Sequence, residues 1–322
     1  MKKVSYCPIH KASPAWLART FRVACIVLAR MSGTGSYFSR RELLLTTLAV
    51  PAACGAANSW QIGCFTRPWD HAEYRAALDA IAEAGYQFAG LMSHGGKPRT
   101  VIHVNQAVEE AAAIGEEVRK RGMQTISVWG GDFPVAKSLE AGIEGLKKLI
   151  ANCAACRCPY LLLGGTSKPE LTERYYNAVA ECCDYAASRK VMLTVKPHGG
   201  TNTTGPQCRK LIQTVGHKNF TLWYDPGNIY YYTKGETDPV DDAPSVAGVV
   251  SGMCVKDFRP PNEVMLTPGT GKVNFREVLA RLKKGGFRGG PLVVECLDRT
   301  DLTKLTAEAR KARKFLEELV AS

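Results

Sequence analysis

From residue 60 onward, apolar and polar positions follow two alternating rhythms. Short runs rich in β-branched, aromatic and aliphatic residues predict strands over Trp60–Phe65, Tyr86–Met92, Met123–Trp129, Tyr160–Gly164, Val191–Lys196, Phe220–Asp225, Val249–Lys256 and Pro291–Glu295. Between them, apolar residues recur at helical spacing. That spacing predicts helices over Asp70–Ala84 (with Asp70 as cap), His103–Arg121, Lys137–Ala154, Pro169–Arg189, Pro206–His217, Asn274–Gly285 and Leu302–Val320. The connection from 226 to 248 carries no long helical pattern. YLLLGG, VMLTV and PLVVE are almost continuously apolar, as parallel strands covered on both faces should be. Eight strands, all but the sixth followed by a long helix, in 265 residues fit the roughly 250 residues of a closed (β/α)8 TIM barrel, an α/β fold read here as one domain over 58–322. The rival, a doubly wound open sheet, calls for a glycine-rich loop after the first strand; Thr66-Arg67-Pro68-Trp69 is not one.

The 57 residues before the barrel have a different character. Residues 39–57 read SRRELLLTTLAVPAACGAA, with an arginine pair, a short apolar core and small residues behind it. The segment resembles a twin-arginine export signal, which implies a folded protein delivered to the periplasm or the cell surface. Cleavage after Ala57 is one outcome; lipid attachment at Cys54 is the other, although Pro51 stands where such sites prefer Leu or Val. A start at Met31 would give a signal of ordinary length, so residues 1–30 read as a mis-assigned start or as disordered chain. No stretch approaches the roughly 20 apolar residues of a membrane span, which leaves a lipid anchor at Cys54 as the sole membrane link.

The leader also explains the charge. The chain carries a net +12, but eight of its 42 basic residues and one of its 30 acidic residues lie in the first 57 positions. The body is only mildly basic, and a nucleic-acid partner is not implied. Nine of the twelve cysteines follow residue 57 without framework spacing, and CAACRC (153–158) has no second ligand pair at a matching distance, so these read as buried thiols.

In a TIM barrel, chemistry gathers where the strands end at their C-termini. Those ends hold Thr66-Arg67, Ser93-His94-Gly95-Gly96, Trp129-Gly130-Gly131-Asp132, Gly164-Gly165-Thr166, Lys196-Pro197-His198, Asp225-Pro226-Gly227-Asn228, Lys256-Asp257 and Glu295. Charges that cap apolar strands are costly to bury and are rarely accidental when several converge. Glu295 and Lys196 stand out, with His198 beside Lys196. Asp225 lies in a DPGN sequence that is also turn chemistry. His94 reads equally as functional or structural, and Asp257 reads as a structural residue.

LWYDPGN (222–228), MCVKDF (253–258) and GTGKVNFREVLARLKKGGFRGGPLVVE (269–295) give the body a family likeness. It resembles the xylose isomerase-like superfamily of sugar isomerases and epimerases, which includes an endonuclease branch. The resemblance implies a divalent metal held by a Glu after strand 5, an Asp after strand 6, a His on strand 7 and a Glu after strand 8, with the two Glu residues moving protons. Asp225 and Glu295 match. Lys196, Cys254 and Asn228 stand where the family carries Glu, His and His.

Three repairs are open: Lys196 supplies the positive charge of the metal, or Lys196 with a lowered pKa is the base, or a metal survives on His198, Asp225 and Glu295. The expected function is proton abstraction next to a carbonyl of a sugar or keto-sugar, leading to isomerisation, epimerisation or elimination. Glu295, Lys196 and His198 would be catalytic, Asp225, Asn228 and His94 would bind hydroxyls, and Trp69 or Trp129 would stack on the sugar. The alternative is a non-catalytic carbohydrate-binding barrel at the cell surface.

Overall fold

The computed structural model describes residues 59–322. The predicted twin-arginine signal, the Cys54 attachment point and the Met31 start lie outside those residues. Eight parallel strands close on themselves in sequence order: β1 (Trp60–Phe65), β2 (Phe88–Leu91), β3 (Gln124–Trp129), β4 (Tyr160–Leu163), β5 (Met192–Val195), β6 (Phe220–Tyr224), β7 (Val250–Val255) and β8 (Gly290–Val294). The ring closes where β1 pairs with β8, from Trp60 opposite Gly290 to Cys64 opposite Val294. Each predicted strand is present, usually shorter by a residue or two at its polar end.

The helices form the outer layer. Tyr74–Glu83, Val108–Lys120, Leu139–Ala155, Thr172–Ser188, Gly205–Val215, Phe275–Lys284 and Leu305–Ala321 follow β1, β2, β3, β4, β5, β7 and β8. Short helices Pro226–Tyr232 and Pro239–Asp242 fill the 226–248 connection. Local chemistry sets the starts. Ser138 and Asn274 accept the backbone N–H of Ala141 and Glu277, and Thr204 forms a capping box with Gln207. One expectation fails here: the first helix is capped by Glu73, which accepts the N–H of Arg75, while Asp70 pairs with Arg99 and Arg299. No helix among the described residues is long and apolar enough to cross a membrane.

Two apolar cores result. The large one lies between strands and helices; the small one fills the barrel bore with Phe65, Met92, Ile126, Leu162, Trp223, Cys254 and Val293. All nine cysteines of the described residues are free and buried. Burial pushes the thiols of Cys153 and Cys156 up, which suits packing rather than reactivity.

The stretch GTGKV proves to be a scaffold. The buried Asp257 carboxylate accepts the backbone N–H of Phe258 (2.8 Å), Gly269 (2.9 Å), Gly271 (2.8 Å) and Val273 (3.1 Å). Gly269 has φ +90°, and a Cβ on Gly271 would lie 2.4 Å from Asp257 Oδ1, so both glycines are needed for the loop to wrap the carboxylate. Asp257 is the structural residue that the sequence suggested.

Candidate active site

Strand alternation builds the site. Trp223, Cys254 and Val293 point into the bore, so the residues two positions on, Asp225, Lys256 and Glu295, also face inward just past the strand ends. Lys196 joins them from the end of β5. All four are nearly inaccessible: Lys196 is 1% exposed, Lys256 and Glu295 3%, and Asp225 0%. Lys196 Nζ donates to Asp225 Oδ2 (3.0 Å) and to Glu295 Oε2 (2.5 Å). Lys256 Nζ reaches Glu295 Oε1 (2.8 Å), Asn228 Oδ1 (2.8 Å) and Asp225 Oδ2 (3.6 Å). Two ammonium groups and two carboxylates thus form one buried, interlocked cluster.

The surrounding residues hold it in place. Asp225 has a second task, since its Oδ1 accepts the N–H of Asn228 (2.9 Å) and caps helix Pro226–Tyr232. Asn228 donates to the Pro197 carbonyl (2.7 Å) while accepting from Lys256, so its amide positions the cluster. Arg67, at the end of β1, donates to Cys296 Sγ and lies 3.7 Å from Glu295 Oε1. Trp129 forms a wall, its ring 5.5 Å from Lys196 Nζ and 5.2 Å from the ring of His198. The ring of Tyr232 also lies beside His198, at 5.7 Å.

The electrostatics follow from these distances. Burial disfavours the charged form of both Lys196 and Glu295, but their mutual attraction outweighs it. The Lys196 ammonium is held above its ordinary value by Glu295 and Asp225, and the Glu295 carboxyl well below its own by Lys196, Lys256 and Arg67. Burial, reinforced by Lys196 and Lys256, lowers His198 to about 3, so its imidazole is neutral.

The residues expected at the site divide accordingly. Lys196, Asp225 and Glu295 meet; Asn228, His198 and Trp129 adjoin them. Trp69 is buried in the outer core and offers no stacking face. His94 is held in its own loop, with Nε2 3.1 Å from the Pro98 carbonyl and Nδ1 accepting from Gly96 N–H. Glu295 and Asp225 hold the Lys196 ammonium above its ordinary value, the opposite direction to that a lysine base calls for. Arg67 and Lys256, noted at the strand ends but given no role, join the site, and Tyr232 joins it unforeseen; the period-two rhythm of β7 already put Lys256 on the face of Cys254.

Residues 78–319 match the xylose isomerase-like TIM barrel. The chain belongs to that family. No curated protein matches it in sequence. Solved structures of the same fold include a D-psicose 3-epimerase determined in the presence of D-fructose, 13% identical with TM-score 0.63, covering 81% of this chain and 100% of that one. A D-allulose 3-epimerase from Methylomonas sp. in complex with D-allulose is 16% identical with TM-score 0.64, covering 81% and 97%. A xylose isomerase domain protein from Planctomyces limnophilus is 18% identical with TM-score 0.62, covering 81% and 97%.

The divalent metal that the xylose isomerase-like family implies does not fit these residues. Among the described residues, the ligand atoms that converge within 4.8 Å belong to Asp225, Cys254 and Glu295, and His198 is not one of them. The space between the carboxylates is spanned by Lys196 Nζ, and Lys256 holds the other oxygen of Glu295. Burial keeps the Cys254 thiol protonated. A doubly charged ion would sit within a few ångströms of two ammonium groups, a repulsion of about 8 kcal/mol for each at 4 Å and an effective dielectric near 20.

Proposed function

We propose that this barrel is a sugar isomerase- or epimerase-like enzyme that removes a proton from a carbon next to a carbonyl, with the lysine pair in the place of a metal. One observation carries the reading: a buried carboxylate, Glu295, is bonded to two ammonium groups at the end of the barrel where this fold does its chemistry. A carboxylate has about four lone-pair sites, and the lysines use two, so Glu295 keeps capacity to accept a proton.

The resting pairs explain how such a base works despite its low pKa. A substrate carbonyl that accepts from Lys196 or Lys256 polarises its own α-carbon and takes a proton donor away from Glu295. The carbon becomes more acidic and the carboxylate more basic in one event. The ammonium groups then stabilise the enediolate that forms. Trp129 is the face for the apolar side of the sugar. With Lys196 where a second glutamate would act, return of the proton to the same face, or loss of a leaving group, are the simplest outcomes. This favours isomerisation or elimination over epimerisation.

The family neighbours crystallised with D-fructose and D-allulose support a small sugar as partner. Export through the twin-arginine route remains part of the proposal, and N-terminal mass spectrometry of the secreted protein tests it.

The test of the chemistry is ¹H NMR in D₂O with a panel of keto-sugars. Exchange of one carbon-bound proton is expected, slowed about 10²- to 10⁴-fold in Glu295→Gln. Saccharide binding without exchange, unaffected by Glu295→Gln, would instead show a barrel that only binds carbohydrate.

A further inference from the structure

The charges at this mouth do not balance. Arg67, Lys196 and Lys256 face only Asp225 and Glu295, an excess of one positive charge in the cluster. Beside it, in the loops after β1, β2 and β8, Arg99 and Arg299 share the single carboxylate of Asp70, at 3.0 and 2.8 Å. The same loops also carry Glu73, Asp298 and Asp301, so the unmatched charge is the single one in the cluster. Proton transfer to Glu295 moves one negative charge onto the enediolate and leaves this sum unchanged, so the excess persists through the reaction.

Arg67 marks where a matching negative charge belongs. Its guanidinium gives one N–H to Cys296, a thiol that burial keeps protonated. Among the described residues its nearest carboxylate oxygen is Glu295 Oε1 at 3.7 Å, beyond hydrogen-bond reach. The side chain is 29% exposed, so it connects the buried cluster to solvent. A partly desolvated guanidinium with unused parallel donors is suited to a planar carboxylate, which it grips with two bonds.

We propose that the substrate is a sugar acid whose carboxylate docks on Arg67 while its carbonyl lies at the lysine pair. This rests on the proton-abstraction reading above and adds the chemical class of the substrate. A neutral sugar leaves the Arg67 fork without a partner, and a phosphate dianion brings more charge than the single resting excess.

Calorimetric titration of the full-length protein with sodium D-glucuronate and D-galacturonate, against D-glucose, D-galactose and D-glucose 6-phosphate, tests it. At 20 mM NaCl at least one acid is expected to bind about tenfold more tightly than its neutral counterpart, and to lose most of that advantage at 300 mM NaCl. Arg67→Gln should remove the preference. Arg67→Lys, which keeps the charge without the fork, should retain only part of it, and Arg119→Gln on an outer helix should retain all of it. Equal binding of acids and neutral sugars, stronger binding of the phosphate, or an unchanged preference in Arg67→Gln would overturn the proposal. Acid binding without proton exchange would overturn the catalytic reading alone. Exchange on neutral sugars with no preference for acids would overturn the acid alone.

Discussion

The mouth of this barrel has two unlike halves. The arc from β5 to β8 places Lys196, Asp225, Lys256 and Glu295 on neighbouring strands and buries all four. Across from it, the arc from β2 to β4 buries no charged side chain and ends in glycines and Trp129. Gly164 shows why glycine is needed there: a Cβ would lie 2.7 Å from the Trp129 ring and 3.1 Å from His198. One half holds groups that polarise and move a proton; the other shapes the space by backbone and indole. The same strand-end position thus serves chemistry or room, depending on what its neighbours bring.

Substitutions should break the two halves in different ways. The largest effect is expected from Lys196→Met, which leaves two buried carboxylates with one ammonium between them. Proton exchange should fall by about 10²- to 10³-fold, and urea unfolding should show a loss of about 3–5 kcal/mol. On the opposite arc, Trp129→Ala should raise KM about tenfold while kcat changes less than threefold, because the indole contributes contact area and no charge.

Acid is expected to separate the halves more gently. Glu295 is held well below its ordinary range, so it is ionised throughout pH 5–8 and the exchange rate should have no acid limb there. Its contribution to stability is complete above its unfolded pKa of about 4.3 and is lost only as pH falls through the depressed folded value. The contribution of Lys196 runs the other way, complete below its unfolded value of about 10.4 and lost as pH rises through the raised one. His198 is the exception, neutral in the fold down to about pH 3 but protonated in the unfolded chain below about 6.5. Stability should therefore decline modestly as pH falls below 6.5, and His198→Asn should flatten that decline in urea titrations at pH 4–7.

Much of this was legible in the sequence because period-two strands and helical stripes are local patterns. Eight strands and the long helices could be placed from them, and the strand ends pointed to Lys196, Asp225 and Glu295. What escaped was decided between elements. Trp69 looked like a stacking platform, but the turn after β1 packs it into the outer core. Lys256 and Asp257 are adjacent and both polar, yet alternation sends the lysine to the cluster and the aspartate to the GTGKV loop. Arg67 gains its meaning only once β8 closes against β1 and sets it beside Glu295. The family likeness also anticipated a metal alternative on His198, but the geometry converges on a thiol and two lysine-bound carboxylates.

The central claim is that ammonium groups, rather than a divalent ion, supply the positive charge of this site. The direct measurement is elemental analysis of the full-length protein after equilibration with excess Mn²⁺ and gel filtration. Far less than one ion per chain is expected, with no difference between the wild type and Asp225→Asn. One tightly held ion per chain that Asp225→Asn removes would contradict the account.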